Sequence, residues 1–427
     1  MYIRKVHIEN IKCFDILDIS FDEPAGWHVF IGDNGSGKSS LLKAIALGII
    51  GSEASQGLRL VFNDWITKNQ NSGHIKVEIC RHHDDNGTSL GSRGLNLSDC
   101  TNLFTREFKI ENYSGTSGTS GSAGYAGKII RENPGWFSAS FGPYRRFSGG
   151  TEKSNIYESN PELAAHLSVF GEDIAFTGII EWLQKLHYKS LEKHETDGWI
   201  FNKLKSFINV GGLLPHGIQL TEVNSEGVFF RDGNACTVGI NDLCDGYRSI
   251  LSLTFELLRI MIHCYGAQKT FKEFDRDNFI IDLPGVVLID EVDAHLHPSW
   301  QAIIGDWFLK FFPKIQFIVT THSPLVCRAS KTGSIWRLSV PGSQQGIELI
   351  EGTERDRLIW GNVLDAFGTN NFGSGVSISS ESNVMLNRLA ILNSRSISGK
   401  ITNDESKELL ILKNRFPTTL INDIPKH

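Results

Sequence analysis

A glycine-rich octapeptide between an apolar run and a helical pattern constrains this chain more than any other feature. Residues 32–39, GDNGSGKS, satisfy the pattern G-x-x-x-x-G-K-[ST]. The apolar run WHVFIG precedes the octapeptide and the proline-free segment SSLLKAIALGII follows it, which predicts the order strand, loop, helix. The sequence therefore predicts an α/β domain whose loop can bind a phosphate group.

The chemistry expected of this loop follows from its residue types. Glycines let successive backbone N–H groups turn towards a phosphate, and the N-terminus of the following helix supplies a positive end. Lys38 is expected to bridge the β- and γ-phosphates of ATP, and Ser39 to ligate Mg²⁺. A plain glycine-rich turn is the alternative. The predicted nucleotide-binding residues here are Gly32, Asn34, Gly35, Ser36, Gly37, Lys38, Ser39 and Ser40.

Two acids at the end of another apolar run supply the carboxylates that a phosphate loop requires. The segment GVVLIDE reads as a buried strand that ends at Asp290 and Glu291. Asp290 is expected to hold Mg²⁺ through water, and Glu291 to act as the base that orients the attacking water. Taken alone, the pair could equally be two solvated acids at a strand end. Its pairing with the phosphate loop favours the catalytic interpretation.

A histidine follows a third apolar strand, QFIVTTHSPL. His322 is thus predicted at the carboxyl end of a strand, where ligands bind in open α/β sheets. In isolation it would more often be a histidine that satisfies local hydrogen bonds. After the two preceding motifs, it is predicted to contact the γ-phosphate and to respond to its loss.

Composition and charge set outer limits on function. The 427 residues carry a net charge of −6 and 40% hydrophobic residues, which supports a full core and gives no global attraction to nucleic acid, although a local basic patch remains open. Seven cysteines without a C-x-x-C pair argue against a disulfide framework or a zinc knuckle and favour free thiols. No run reaches 18 apolar residues, so we expect a cytoplasmic protein without membrane spans.

The predicted organisation has two parts. An ATPase domain is predicted over residues 1–335, with an inserted β and loop region at about 52–130 and a helical lobe at about 150–210. Within the insertion, HIKVEICR and TREFKIENY predict strands, whereas SGTSGTSGSAGYAG predicts a mobile loop because of its glycine and serine content. Residues 336–427 are predicted to be a helical extension. Its apolar spacing predicts a helical hairpin, with Met385, Leu389 and Leu392 on one helix and Leu409, Leu412 and Phe416 on the other.

The order of four segments resembles a known family. GDNGSGKSS, LCDGYRS, VVLIDEVDAHLHP and IVTTHSP are similar to the Walker A, signature, Walker B and switch-histidine series of ABC-type ATPases. The resemblance covers residues 1 to about 330. It is strongest to the soluble branch that includes RecF, the SMC proteins and the PtuA-type ATPases of Septu and retron anti-phage systems. It implies a mixed-sheet ATPase head with an antiparallel β region.

The resemblance also implies that the chain works as a homodimer or a higher homo-oligomer. Residues 243–247, LCDGY, match the signature loop, which implies that Cys244, Asp245 and Gly246 bind the nucleotide of a second copy. Asp293–His297 match the segment that crosses the dimer interface in the family. Family members usually have serine at the position of Cys244. A thiol is a poor hydrogen-bond donor, so slow or regulated hydrolysis is expected.

Two departures separate this chain from ABC transporters. No glutamine lies between Gln70 and Gln184, where a glutamine loop would fall, and FGPYRRFSGG stands there instead. Its Arg145 and Arg146 resemble an element of defence-associated ATPases and could sense phosphate or contact a partner; solvation of a loop is the alternative. Cys244 also follows Lys38 by 206 residues without sustained heptads, which predicts a globular inserted lobe.

Three functions compete at this stage. The first is a dimeric ATPase that controls a partner nuclease, for which an HNH nuclease is expected, in anti-phage defence. The helical tail SGKITNDESKELLILKNRF resembles the ending of PtuA-like ATPases and favours it. The second is a RecF- or SMC-like ATPase that binds DNA directly, and the third, least favoured, is a transporter subunit. Glu351 in LIEGTERD resembles the start of a TOPRIM nuclease domain, but no D-x-D follows from Asp356 onward, so we interpret Glu351 as a surface acid.

Overall fold

The computed structural model describes most of the chain in two compact units, Met1–Gly361 and Asn362–His427. The described residues are 1–58, 60–85, 102–113, 116–125, 128–129, 136–143, 161–170, 177–274, 279–339, 346–361, 380–397 and 401–415.

The strands are β1 (Tyr2–Ile11), β2 (Phe14–Ser20), β3 (Gly26–Ile31), β4 (Ser72–Arg81), β5 (Asn102–Tyr113), β6 (Thr116–Tyr125), β7 (Lys128–Ile129), β8 (Ser138–Phe141), β9 (Gln219–Asn224), β10 (Gly227–Arg231), β11 (Thr237–Gly239), β12 (Gly285–Ile289), β13 (Ile315–Thr320), β14 (Ile335–Leu338) and β15 (Ile347–Leu349). The α-helices are α1 (Lys38–Ile50), α2 (Ser52–Ser55), α3 (Pro161–Ala164), α4 (Thr177–Leu191), α5 (Glu195–Val210), α6 (Asp245–Tyr265), α7 (Ala267–Thr270), α8 (Pro298–Gln301), α9 (Ile304–Phe311), α10 (Gly352–Trp360), α11 (Ser380–Ile397) and α12 (Asn403–Arg415).

A mixed sheet forms the centre of the first unit. Six of the described strands pair in the order β15-β14-β3-β13-β12-β8. All neighbours run parallel except β15, which is antiparallel to β14. Strands β3, β12 and β13 are buried at every residue, as expected for parallel strands covered on both faces. Because β3, β13 and β12 are neighbours and parallel, the residues that follow them meet at one edge of the sheet.

An antiparallel sheet lies on the other side of the first helix. Its described strands pair in the order β2-β1-β4-β5-β6-β7, and HIKVEICR and TREFKIENY form β4 and β5 as predicted. The prediction of a mobile loop over SGTSGTSGSAGYAG is wrong for residues 116–125, which form β6 and pair with β5 from Thr105↔Gly124 to Tyr113↔Thr116. The backbone of a glycine- and serine-rich segment can still complete the hydrogen-bond ladder of a long neighbouring strand, which overrides weak β-propensity.

Helix α1 packs between the two sheets and joins them into one core. Its fully buried Leu41 and Ile45 belong to the same hydrophobic cluster as Ile75 of the antiparallel sheet and Leu288 of the central sheet. The fully buried Gln316 of β13 also links the sheets. Its Oε1 accepts a 2.7 Å hydrogen bond from the Ile3 N–H, and its Nε2 donates to the Ile3 carbonyl at 3.0 Å. These contacts fix the loop before α1 on a rigid scaffold.

A helical lobe and a small sheet lead to the long helix α6. Helices α4 and α5 contact each other and also contact the sheet β11-β10-β9. In its described residues, the helical lobe predicted at about 150–210 forms the helices α3, α4 and α5. Helix α6 begins at Asp245, directly after Leu243 and Cys244.

In the described part of the second unit, two helices pack on each other. Leu392 of α11 and Leu409 and Leu412 of α12 form a small buried cluster, against which Met385 and Leu389 also pack. These are residues from the two predicted apolar stripes, and their mutual packing buries them within the same unit. Phe416, the last residue of the predicted stripe, lies outside the described residues.

Two further sequence-based expectations differ from the structure. The predicted division at residue 335 falls within the first unit, because β14 begins there and pairs with β3. Among the described cysteines, Cys80 is disulfide-bonded, contrary to the expectation of free thiols throughout, because a disulfide depends on which cysteines the fold brings together and needs no spacing motif. The described free thiols are Cys13, Cys236, Cys244, Cys264 and Cys327.

Candidate nucleotide site

The predicted phosphate loop, Glu291 and His322 meet in one cleft, and Asp290 is buried at the preceding position. They follow β3, β12 and β13, whose carboxyl ends share an edge of the central sheet. The cleft has a volume of about 500 Å³. The predicted site residues that line it are Asn34, Gly35, Gly37, Lys38, Ser39, Ser40, Glu291 and His322. The remaining predicted loop residues, Gly32 and Ser36, lie in the same turn between β3 and α1.

The backbone of the phosphate loop turns sharply before α1. Gly37 is the N-cap residue of α1 and has φ 96°, ψ 11°, a left-handed conformation that glycine adopts at little cost. A side chain there would also be crowded, because a Cβ atom would lie 2.5 Å from the Cys13 Sγ. The buried Ser36 Oγ has no hydrogen-bond partner among the described residues. A buried hydroxyl without a partner is costly and suits a loop that folds around a polar ligand.

Lys38 is a buried cation surrounded by acceptors. Its Nζ donates to the Gly32 carbonyl at 2.7 Å and to the Asp33 carbonyl at 3.0 Å. Burial lowers the pKa of Lys38, and the nearby carboxylates of Asp290 and Glu291 oppose this effect. A buried ammonium group is stabilised by negative charge, so the site favours an anionic ligand beside Lys38.

Asp290 and Glu291 are held at the end of β12 by the neighbouring strands. The Asp290 N–H donates to the Phe141 carbonyl of β8 at 2.8 Å, and the Asp290 Oδ1 accepts a 2.6 Å hydrogen bond from the Thr320 hydroxyl. The Glu291 N–H donates to the same Thr320 Oγ1 at 2.8 Å. Glu291 has φ 46°, a left-handed conformation that costs a non-glycine residue free energy and is concentrated at functional sites. The left-handed turn at Glu291 directs the main chain away from β12 at the cleft.

The switch histidine sits beside a second threonine. His322 is exposed at the edge of the cleft. The buried Thr321 before it donates a 2.6 Å hydrogen bond to the Asp293 Oδ1 and accepts one from the Ser323 N–H at 2.9 Å. The backbone next to His322 is therefore tied to the segment that follows Asp290 and Glu291.

The opposite wall of the cleft was not predicted from sequence. It contains Lys12 and Cys13 from the turn between β1 and β2, together with Asp64 and Ile66. Lys12 has φ 55°, its N–H donates to the Trp65 carbonyl at 2.7 Å, and its Nζ lies 5.2 Å from the Trp65 ring centroid. The alternation of apolar residues in β1 and β2 could locate the turn. Nothing local to that turn reveals that it reaches the phosphate loop.

The signature loop, residues 243–247, lies outside this cleft. Cys244 and Asp245 are exposed, and Cys244 is the N-cap residue of α6. A Cβ atom on Gly246 would lie 2.7 Å from the His295 carbonyl oxygen, so the backbone at the start of α6 packs closely on the segment Asp293–His297. Cys244 instead lines a separate cleft of about 620 Å³. The structure of one chain thus does not bring Cys244, Asp245 and Gly246 to its own phosphate loop.

The donor set fits a magnesium ion. Asp290 is a carboxylate with only 2% exposure, and a buried carboxylate needs cations or hydrogen-bond donors to offset desolvation. Ser39 is the residue after Lys38 and lines the cleft. A hydroxyl and a carboxylate are oxygen ligands of the kind Mg²⁺ prefers. Ser39 and Asp290 are the residues that would hold it.

A cluster elsewhere has metal-capable side chains but is already engaged. Among the described residues, ligand atoms of His82, His83 and Asp84 lie within 4.8 Å of one another. The His82 Nδ1 accepts the Asp84 N–H at 3.1 Å. The Lys314 Nζ lies 3.6 Å from the Asp84 Oδ2. A cation beside this carboxylate disfavours a divalent metal there.

The other sequence candidates lie apart from the cleft or outside the described residues. Arg145 and Arg146 fall outside the described residues. Glu351 is exposed and is the N-cap residue of α10. None of the described helices combines the length and apolarity of a membrane span.

Comparisons with known proteins agree with this geometry. The family described as "AAA ATPase domain" matches residues 1–113, which contain the phosphate loop. The family described as "AAA domain, putative AbiEii toxin, Type IV TA system" matches residues 257–328, which contain both carboxylates and His322.

Two relatives cover most of the chain. A Septu protein PtuA of Bacillus mycoides is 27% identical over 78% of this chain, which spans 40% of the length of that protein. A retron Ec83 probable ATPase of Escherichia coli is 24% identical over 79% of this chain and 71% of its own length.

A solved structure shares the fold. An SMC head, solved in complex with the C-winged helix domain of ScpA, matches 83% of this chain and 99% of its own with a TM-score of 0.50 and 17% identity. The chain is therefore related to the Septu PtuA proteins and the retron ATPases, with the phosphate loop of a P-loop ATPase on an α/β fold that resembles an SMC head.

Proposed function

We propose that this chain binds ATP with Mg²⁺, hydrolyses it as a dimer, and thereby controls a partner nuclease in anti-phage defence. The observation that carries the proposal is the convergence of the phosphate loop, Glu291 and His322 in one cleft, with Asp290 buried beside it. The relationship to Septu and retron ATPases supplies the defence context.

Three residues that line the cleft have distinct roles in hydrolysis. Lys38 exchanges its contacts with the loop carbonyls for the β- and γ-phosphates. Glu291 orients the attacking water and accepts its proton, and His322 contacts the γ-phosphate. A bound Mg²⁺ supplies positive charge to the phosphate oxygens when Ser39 and Asp290 hold it.

A second copy completes the site in this proposal. Cys244 and Asp245 are exposed and lie away from the chain's own cleft, and they begin a helix of 21 residues whose positive end suits a phosphate. Gly246 packs on the segment Asp293–His297, so the two parts assigned to the dimer interface are neighbours in one chain. The exposed signature loop is therefore available to the phosphate loop of another copy.

Nuclease activity is assigned to the partner. The metal-capable group found among the described residues, His82 to Asp84, faces Lys314. Closure of the dimer on ATP and its opening after hydrolysis favour different contacts with a bound partner, and that difference can switch the partner on or off. An HNH nuclease is the partner we expect.

Direct DNA binding through the helical lobe is less favoured by its contacts. Lys189 lies 3.5 Å from the Asp197 carboxylate. Lys203 donates to the Phe274 carbonyl at 2.6 Å, and Lys205 donates to the Thr221 carbonyl at 2.7 Å. These three lysines make intramolecular contacts, which argues against a positive groove built from them.

Two substitutions test the ATPase. Lys38→Ala should abolish binding of a fluorescent ATP analogue, because it removes the cation that contacts the phosphates. Glu291→Gln should bind the analogue as wild type does and lose turnover, because it retains the shape of the side chain and removes the base. Wild-type turnover in Glu291→Gln would exclude Glu291 as the base.

Mixing two inactive variants tests whether two copies of the chain share each site. Cys244 is exposed, so Cys244→Trp blocks the signature loop without a clash inside its own chain. Lys38→Ala and Cys244→Trp each disable one half of a shared site, so a mixture should recover turnover through one intact composite site. Failure to recover, with ATPase activity independent of protein concentration, would exclude shared sites.

A DNA-cleavage assay tests the partner. DNA cleavage with Mg²⁺ should require the neighbouring gene product. Cleavage by this chain alone would refute nuclease control in trans.

A further inference from the structure

One hydroxyl group contacts both acids of the candidate site. Thr320 is the last residue of β13 and is fully buried. Its Oγ1 donates to the Asp290 Oδ1 at 2.6 Å and accepts from the Glu291 N–H at 2.8 Å. A threonine hydroxyl has one hydrogen to donate and lone pairs to accept with, so these two bonds use its donor and an acceptor together.

The two bonds constrain different properties of the acids. The bond to Asp290 fixes the rotation of its carboxylate, and a short bond to a charged oxygen is of the stronger kind. The bond from the Glu291 N–H acts on the backbone at a residue with φ 46°, where the left-handed turn requires support from its surroundings. A second contact, from the Val292 N–H to the Thr320 carbonyl at 3.0 Å, uses the main chain and is independent of the side chain.

We propose that Thr320 is a positioning residue for hydrolysis, which holds Asp290 in its metal-binding orientation and Glu291 in its turn. The inference rests on the proposed function, because it concerns the same cleft. Thr320 does not line that cleft, so its hydroxyl acts through the two acids and does not touch the nucleotide. Its loss should therefore slow the chemical step and leave nucleotide binding largely intact.

The side chain can be changed without disturbing the strand. Valine has the shape of threonine and suits a buried strand equally well, so Thr320→Val removes the hydroxyl and keeps the packing. Thr320→Ser keeps the hydroxyl and removes a methyl group. Thr254 provides a matched control, because it is also fully buried but its Oγ1 has no hydrogen-bond partner among the described residues. Thr254→Val removes a buried hydroxyl from α6 without breaking such a bond.

The experiment compares the full chain and its variants under steady-state turnover. Loss of a buried hydrogen bond to a charged group should lower kcat of Thr320→Val about ten- to hundredfold. The affinity for a fluorescent ATP analogue should change less than about threefold, since the phosphate loop is untouched. Thr320→Ser should restore most of kcat, and Thr254→Val should match wild type. In a Glu291→Gln background, Thr320→Val should lower the residual rate by less than it does in wild type, because one of the two groups it positions is already absent and only the effect on Asp290 remains.

The possible results distinguish the positioning role of Thr320 from the proposed ATPase function on which it rests. Wild-type protein without any ATP turnover would overturn the proposed function and this inference with it. Wild-type turnover with an unchanged kcat in Thr320→Val would overturn the positioning role alone, as would equal losses in Thr320→Val and Thr320→Ser. If Thr320→Val does not fold, Thr320→Ala removes the same hydroxyl without a methyl group beside Asp290. An alanine variant with wild-type kcat would overturn the proposal.

Discussion

The turn that begins α1 provides a sharp test of the phosphate loop. Gly37 and Gly51 are the N-cap and C-cap residues of that helix, and both have positive φ, 96° and 82°. They differ in surroundings: a Cβ atom on Gly37 would lie 2.5 Å from the Cys13 Sγ and 2.7 Å from the Phe14 Cζ, whereas one on Gly51 would have no atom within 4 Å. Gly51→Ala therefore has a backbone cost alone, whereas Gly37→Ala has a backbone cost of its own and a steric cost.

The magnitudes follow from these two terms. Gly51 has φ 82°, ψ 171°, a region essentially restricted to glycine, so Gly51→Ala should lose about 1–3 kcal/mol of unfolding free energy. The left-handed conformation of Gly37 costs alanine about 1–2 kcal/mol. Phe14 belongs to the buried core cluster, so its ring cannot move freely, and such overpacking adds about 1–3 kcal/mol. Gly37→Ala should therefore lose about 2–5 kcal/mol in total.

Urea unfolding and titration with a fluorescent ATP analogue together decide the outcome. Gly51→Ala should bind the analogue as wild type does, because its turn lies at the far end of α1 from the phosphate loop. Gly37→Ala should lose binding, since relief of the clash requires the loop to move. A loss of less than about 1 kcal/mol of unfolding free energy in Gly37→Ala, with normal binding of the analogue, would refute the reasoning.

Two further predictions concern a thiol and a histidine. Cys13 lines the nucleotide cleft and, like Cys236, is exposed. ATP should therefore protect Cys13 from N-ethylmaleimide while Cys236 still reacts, as measured by peptide mass spectrometry. Partial desolvation raises the pKa of Cys13, so its labelling should be slower at neutral pH than that of an ordinary thiol. Equal labelling of Cys13 with and without ATP would contradict its placement. Burial lowers the pKa of His166 to about 3, below the value of about 6.5 in an unfolded chain. As the pH falls, the unfolded state therefore binds the proton first, and the free energy of unfolding decreases below about pH 6.5. Between pH 7.5 and 5.5, this decrease in the free energy of unfolding should be about 1.4 kcal/mol larger in wild type than in His166→Gln. An unchanged pH dependence of urea unfolding in His166→Gln would contradict this.

The sequence by itself determined the parts of the site that are contiguous in the chain. The octapeptide from Gly32 to Ser39 specifies a loop between a strand and a helix, because glycine permits the turn and the flanking residues have clear strand and helix patterns. The apolar runs before Asp290 and His322 similarly place those residues at strand ends. These signals are local, since backbone conformation and hydrophobic periodicity depend on neighbouring residues.

Only the tertiary structure decided how these segments meet. The strand order β3-β13-β12 joins residues separated by more than 250 positions in the chain, and it places the Thr320 hydroxyl between Asp290 and Glu291. The tertiary structure also decided the position of Cys13 in the wall of the cleft. It likewise decided the pairing of the glycine- and serine-rich β6 with β5. Each depends on which distant surfaces bury one another and which backbone groups find partners, and these are properties of the packed chain that no local pattern contains.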